Sequence, residues 1–436
     1  MAARDLALDV LVSVIKDNAY SNLALDGALR GASLSAVDKG LATELVYGTL
    51  THYRQLDFYA DPCFKGRVKP WVRALVLMTL YQVVYLDKIP SHAAINEAVG
   101  IAKRRGGDFN GKLVNGILRS LMKKPFEEAP NIALETSHPD WLINLWVAQY
   151  GTERAEAMAR ANNERAQTVI RTNLKKATRD ELQRLLEAEG IDSEQGTLSI
   201  AALVVKKGSV ATLDAHASGM FYIQDEASQL VAKALAPSQG ARVLDVCAAP
   251  GGKTLHIAEM IGVDGEVIAH DIHAHKIELL NENAKRLGVK NIRASVQDAM
   301  KLGSGYAKGS FDYILVDAPC SGLGVLRRHP EAKLFKKPEN LDAIIQIQSQ
   351  ILAEVAPLLA PGGRLVYSTC TVNRKENDRQ VKSFLAGHPD FELDVALSSR
   401  LPDCLEGNFE EGMLQLFPQD FGTDGFFIAS LVRAQV

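Results

Sequence analysis

Over roughly the first 130 residues, apolar positions recur at three- and four-residue spacing. Leu6, Val10, Leu11 and Val14 form one set, Leu41, Leu45 and Val46 a second, and Leu75, Met78, Leu80, Val83 and Leu86 a third. That period puts an apolar stripe on each of several amphipathic helices. Ser35 and Ser91 supply start signals, and Pro70, Pro90 and Pro125 punctuate the runs. The pattern predicts an all-α domain of about five to seven helices over residues 1–130.

The pattern then changes twice. Trp141, Leu142, Leu145, Trp146 and Tyr150 give an aromatic helix face that reads as core. Thr168–Asn173 reads as a strand, Arg179–Gly190 as a helix closed by its glycine, and Ala201–Val205 and Gly219–Ile223 as short strands. Residues 138–225 are therefore expected to form a small α/β module. Beyond about residue 240, strands and helices alternate. Strands are predicted at Arg242–Cys247, Glu266–His270, Ile292–Val296, Phe311–Asp317 and Arg364–Thr369, with late strands at Pro389–Val395 and Gly425–Val432. Helices are predicted at Lys253–Ile261, His275–Leu287, Leu341–Leu359 and Glu376–Leu385. Near-continuous apolar strands such as Tyr313–Val316 predict an α/β, Rossmann-like domain over 226–436, with a doubly wound sheet. Ligands of such sheets bind beyond the carboxyl ends of the strands.

Composition adjusts this picture in three places. A chain of 436 residues leaves room for about three domains, which the pattern supplies. Lys and Arg total 49 against 52 for Asp and Glu, a net charge of −3, so any nucleic-acid binding must come from local patches. Five cysteines without a CxxC pair exclude a disulfide scaffold and a structural zinc site, and no metal is expected. With charge from Arg4 onward and no run of about 18 apolar residues, no signal peptide and no membrane span are expected. A monomer in a reducing cytoplasm is the expectation.

The candidate chemistry follows the strands. The first predicted strand enters Cys247-Ala248-Ala249-Pro250-Gly251-Gly252-Lys253-Thr254, where small residues let a ligand approach the backbone and a helix N-terminus follows. The dinucleotide spacing GxGxxG is absent, and the first glycine position of a P-loop holds Cys247. Asp245, Asp271, Asp298 and Asp317 stand at four consecutive strand ends, Asp271 where a ribose diol would be held and Asp298 where an adenine edge would lie. An adenosine cofactor without a triphosphate site fits, and S-adenosylmethionine is the candidate.

Two cysteines also fall at strand ends, in Asp317-Ala318-Pro319-Cys320-Ser321-Gly322 and Ser368-Thr369-Cys370-Thr371. Neighbouring strands would bring both thiols to one rim. Beside a methyl donor, two thiols suit methylation of a pyrimidine at C5. A thiolate adds at C6, C5 becomes enamine-like, and a base removes the C5 proton before the thiol leaves. A carboxyl such as Asp317 could bond the base at N3. Spacing alone leaves open which cysteine attacks.

Together with Arg327-Arg328-His329-Pro330, Glu376-Asn377 and Asp424-Gly425-Phe426-Phe427, these segments resemble the RNA cytosine-5 methyltransferases of the NOL/NOP/Sun group over about residues 220–436. The resemblance implies Cys370 as nucleophile, Cys320 in product release, Asp317 at the base, and cofactor contacts from Cys247 to Lys253 with Asp271, Asp298 and Asp317. The N-terminal helices resemble NusB, and the join of the two is similar to the Sun-type bacterial 16S rRNA methyltransferases. The substrate it implies is a single-stranded or loop cytosine in 16S rRNA. A tRNA substrate, or a non-catalytic RNA-binding assembly factor, is the alternative. Leu334 departs from the group, where an aromatic residue is frequent.

For RNA, Arg327, Arg328, Lys333, Lys336 and Lys337 stand against the single acid Glu331 and read as a phosphate track. Arg171, Lys175, Lys176 and Arg179 could extend it. Lys103-Arg104-Arg105-Gly106-Gly107 reads as a basic turn, either a solvated helix end or an RNA contact.

Overall fold

A computed structural model describes residues 2–123 and 125–435. The chain forms two compact units: residues 1–165 with 326–338, and residues 166–325 with 339–436. The second division differs from the sequence reading. Leu326–Pro338, expected inside the α/β domain, belongs to the helical unit, and the small module belongs with the α/β sheet.

In the helical unit, six α-helices lie between Ala3 and Leu121, at Ala3–Asp17, Ser21–Arg30, Ala36–Thr51, Tyr53–Ala60, Pro70–Tyr85 and Ser91–Leu121. Their stripes meet in a core that includes Leu6, Leu11, Leu45, Leu50, Leu75, Leu77 and Leu118, all nearly inaccessible. Truncating one such leucine to alanine costs about 2–5 kcal/mol. Ser35 caps its helix by accepting from the Asp38 amide at 3.1 Å, as the start signal implied. Lys103–Gly106 are helical, and the break falls at Gly107, where two helical segments of Ser91–Leu121 meet at a kink whose φ of 75° suits glycine. Arg104 pairs with Asp5 at 2.9 Å and Arg105 with Asp9 at 2.6 Å, so these cations fasten the first helix. Leu334 and Phe335 pack against the same core. At Leu334 the structure therefore shows an intramolecular apolar contact.

The second unit holds two sheets. Its strands are β1 (Thr168–Thr172), β2 (Asp192–Gln195), β3 (Ala202–Lys207), β4 (Phe221–Ile223), β5 (Arg242–Asp245), β6 (Glu266–Asp271), β7 (Ile292–Val296), β8 (Phe311–Asp317), β9 (Leu359–Thr369), β10 (Phe391–Leu393), β11 (Phe409–Glu410), β12 (Met413–Leu416) and β13 (Phe426–Arg433). The small sheet is antiparallel in the order β2-β3-β1-β4, with helices after β1 and β3, a split βαβ plait. Arg171 of β1, 1% exposed, pairs with Glu259 on the helix Gly252–Ile261, which fastens the plait to the large sheet.

The large sheet runs β11-β12-β13-β9-β8-β5-β6-β7, with β10 on β13. Strands β7, β6, β5, β8 and β9 are parallel, and β13 adds antiparallel to β9. The sheet is thus Rossmann-like and mixed: the late strand Phe426–Arg433 runs antiparallel to β9 and also pairs with β12 and β10. Strand order reverses beside β5, the switch point at which such sheets open a ligand crevice.

Candidate functional site

The carboxyl ends of the parallel strands carry the expected residues. Asp245, Asp271 and Asp317 are the last residues of β5, β6 and β8, and Asp298 lies two residues beyond β7. After β5 the chain turns through Cys247, Ala248, Ala249 and Pro250. The Ala248 amide donates to the His270 carbonyl at 2.8 Å, tying the turn to β6. Gly251, with φ of 107°, caps the helix that opens at Gly252, and Lys253 lies in its first turn. Thr254 Oγ1 donates to Asp245 Oδ2 at 2.7 Å.

These carboxylates share one electrostatic environment. Burial pushes the Cys247 thiol well up, and the charges of Asp245, Asp317 and Asp271 add to it. Asp245 itself is raised to about 7, first by burial and, among its neighbours, by Asp317. Asp271 Oδ1 accepts from the His273 amide at 2.9 Å, which fixes the carboxyl at the strand end. Asp298 is used locally. It accepts from the Met300 amide at 3.0 Å and lies 3.6 Å from the Lys301 ammonium.

On the other side of β5 stand the thiols. Strands β8 and β9 pair in parallel, with Asp317 opposite Ser368, and the loops after them bring Cys320 Sγ to 3.3 Å from Cys370 Sγ. Both cysteines are free. Asp317 Oδ1 accepts from Ser368 Oγ at 2.8 Å, and Oδ2 accepts from the Lys253 ammonium at 2.8 Å. Burial works against the charge on Lys253, but Asp317, Cys370 and Asp245 outweigh it and raise its pKa. The ammonium also lies 5.2 Å from the Phe426 ring centre. Hydrogen bonding to Cys370, then burial, pushes the Cys320 thiol well above its ordinary value.

What holds the two loops was not visible in the sequence. Glu376, wholly buried, accepts from the Ser321 amide at 2.7 Å, from Asn373 Nδ2 at 3.0 Å and from Gln348 Nε2 at 3.2 Å. Ser321 Oγ lies 2.8 Å from Thr371 Oγ1. Asn377 bonds Thr369, the Thr371 carbonyl and Gln415. Gly324 donates to the Cys370 carbonyl at 3.0 Å, and a Cβ there would sit 2.0 Å from the Gly425 carbonyl oxygen. The family resemblance marked Glu376, Asn377 and Gly425, but their partners lie in other segments and are set only by folding.

The phosphate track needs correction. Lys333 is 3% exposed, and its ammonium donates to the Thr51 carbonyl at 2.7 Å and to Asn163 Oδ1 at 2.8 Å. Burial, then Arg54, lowers its pKa to about 7. Arg327 is also buried. The one acid of the run, Glu331, accepts from the Ser21 amide and hydroxyl at 3.1 and 2.7 Å. An apolar helical core pulled this segment in, so alternate side chains became anchors. Arg328 and Lys336 are half-buried, and Lys337 is exposed. In the plait, Lys176 donates to the Ser218 carbonyl at 2.7 Å, Arg179 bonds Gln195, and Arg171 is buried, so these three act within the fold. No cluster of metal-ligating side chains occurs among the described residues. No helix among them is long and apolar enough to cross a membrane.

A Rossmann-like sheet with a carboxylate-lined crevice, appended to an all-α unit and a βαββαβ plait, defines a methyltransferase-type architecture. Known families divide the chain in the same way. Residues 1–123 match the NusB family, 138–211 a ferredoxin-like domain of RsmF/B-like methyltransferases, and 232–432 the family described as 16S rRNA methyltransferase RsmB/F. A "Probable ribosomal RNA small subunit methyltransferase B" of Bacillus subtilis is 45% identical over 99% of this chain and 98% of its own length. Ribosomal RNA small subunit methyltransferase B of Pseudomonas syringae is 34% identical over 99% and 97%. Among solved structures, PH0851 superposes with a TM-score of 0.85 at 25% identity over 99% of each chain. NSun6 from Pyrococcus horikoshii, solved with SFG, gives 0.61 at 25% identity over 68% of this chain and 99% of its own. The chain belongs to the ribosomal RNA small subunit methyltransferase B family.

Proposed function

We propose that this chain methylates C5 of a cytosine in 16S rRNA, using S-adenosylmethionine and a covalent adduct between Cys370 and C6 of the base. The observation that carries the reading is the 3.3 Å approach of Cys320 and Cys370 beside Asp317 and Lys253. When bound, S-adenosylmethionine supplies an electrophilic methyl on a positive sulfonium. The residues present fit it. Carboxylates crowd around Cys247, which disfavours a phosphate-bearing cofactor and favours a cation. Asp271 is placed for a ribose diol, and the turn Cys247–Lys253 offers backbone and a helix N-terminus, with Asp298 beyond β7 toward the base edge.

Within this reading, Cys370 attacks C6 as thiolate, with Lys253 holding positive charge nearby. Addition places negative charge on the ring, a proton taken up at N3 from solvent neutralises it, and the Asp317 carboxylate accepts from that N3–H. C5, now nucleophilic, takes the methyl group. Solvent takes the C5 proton, its electron pair re-forms the 5,6 double bond as the C6–S bond breaks, and Cys370 leaves as thiolate, accepting a hydrogen bond from the Cys320 thiol. Cys320, kept protonated by its bond to Cys370 and by burial, is the group in place to assist release. The base must be unstacked to reach the thiols, so a loop or single-stranded site is the target. Arg328, Lys336 and Lys337 remain the candidates for phosphate contacts from the basic run.

The test is sequencing of 16S rRNA for 5-methylcytosine with and without the protein, and with Cys320→Ala, which should accumulate a covalent protein–RNA species. An unmodified rRNA in all cases would refute the reading.

A further inference from the structure

The helical unit contains a cavity of about 590 Å³ that no step above uses. Tyr53, Phe58, Trp141, Arg54 and Lys336 line it, with Asp57 and Asp61 on one wall. The three aromatic residues are half-buried, so ring surface faces the cavity. Both wall carboxylates are tied to Arg73, at 2.6 and 2.9 Å, which offsets one of their two negative charges. Arg54 shares its guanidinium with Asp140 at 3.0 Å, but Asp140 is largely exposed, and a pair of that kind contributes little in water. A phosphate can take its place. Aromatic faces beside the cations Arg54 and Lys336, in an open groove, match the chemistry by which proteins hold unpaired RNA.

We infer that this cavity holds one unpaired nucleotide of the rRNA, separate from the methylated cytosine, with its base on Trp141 and Phe58 and its phosphate at Arg54 and Lys336. The inference rests on the proposed rRNA substrate. It also gives the half-buried Lys336 a partner that the buried Lys333, three residues earlier, does not need.

The experiment uses the full-length protein and a 16S rRNA transcript carrying 4-thiouridine. Photocrosslinking and peptide mass spectrometry should place an adduct within residues 53–61 or 139–141. Trp141→Leu and Lys336→Glu should each weaken transcript binding about tenfold, the loss that one base–aromatic or phosphate contact carries, with S-adenosylmethionine affinity and circular dichroism unchanged. Lys336 is partly exposed, so its variant reports on binding even if Trp141→Leu folds poorly. Unchanged affinity in Lys336→Glu with no adduct in either peptide overturns the inference. Intact rRNA affinity with loss of a copurifying ribosomal protein assigns the cavity to a protein and overturns it as well. Methylation at wild-type KM for rRNA by both variants refutes the cavity alone. Crosslinking here by a wild-type protein that leaves no 5-methylcytosine refutes the proposed function alone.

Discussion

The rim that carries Cys320 and Cys370 and the segment 326–338 both bury titratable side chains, and they use them differently. In the rim, Glu376 gathers donors from Ser321, Gln348 and Asn373, and the segments it joins carry Cys320 and Cys370. In the helical unit, Glu331 takes both donors of Ser21, and Lys333 gives its protons to Thr51 and Asn163. The first set fixes two reactive groups against each other. The second fixes a passing length of chain to a helical core. A buried charge is tolerated only when its hydrogen bonds are met, so the identity of the partners tells which purpose it serves. A reactive site has nucleophiles at the next residue, while an anchor has backbone carbonyls and apolar neighbours.

The sharpest way to break this contrast is Cys370→Ala. Methyl transfer should fall by roughly 10³-fold or more while cofactor binding, read by calorimetry, persists; normal turnover would remove Cys370 from the nucleophile role. Glu376→Gln should come next. It leaves the shape but weakens the clamp, so kcat is expected to drop about 10- to 100-fold, with about 1–3 kcal/mol of stability lost. Because Glu376 positions rather than reacts, the cofactor Kd should hold, and a KM change without a kcat change would make it structural only.

Lys333→Met tests the anchor. It should lower stability by about 1–3 kcal/mol at high pH, where the amine is neutral in both states, through the unpaired Thr51 and Asn163 acceptors. The folded pKa of Lys333 lies near 7, below its ordinary 10.5. Between those values the unfolded chain binds the extra proton, so the wild type gains stability as pH rises from about 7 toward 10.5. Below about 7 the cost of burying the charge is full. The wild-type advantage over the Met variant, from urea unfolding, should therefore widen with pH across that window, and a flat difference would place the ammonium in water. The smallest effect belongs to Lys337→Ala: stability should move by under about 0.5 kcal/mol, while the slope of log affinity against log salt falls by about 0.7. An unchanged slope would remove Lys337 from the RNA surface.

Strand and helix periods located nearly every element of the large sheet, because parallel strands are buried on both faces and read as apolar runs. The late strand Phe426–Arg433 was found, but not its reversed direction, since an apolar run carries no sense of orientation. At the site, Cys320, Cys370 and Asp317 were legible from their positions at strand ends, while Lys253 entered only as a cofactor contact implied by the family resemblance, without its pairing to Asp317. Ser321, Gln348 and Gln415 were not, because their partners lie 29 to 55 residues away, at distances fixed only by packing. The misreading of Lys333 and Arg327 has the same origin. A run of cations looks solvated in sequence, and nothing local reveals that Leu334 and Phe335 will carry it into an apolar core.

The sequence by itself determined the alternation of strand and helix, the glycine-bearing turn at the switch point, and the two thiols on neighbouring strands. These are properties of short segments, set by side-chain period and backbone sterics. Tertiary structure alone decided that 13 residues following the Cys320 loop would join the helical unit, that Glu376 would hold the thiol loops, and which cations stay in water. Those outcomes depend on desolvation and on hydrogen bonds between residues distant in the chain, and such balances exist only once the surrounding core has formed.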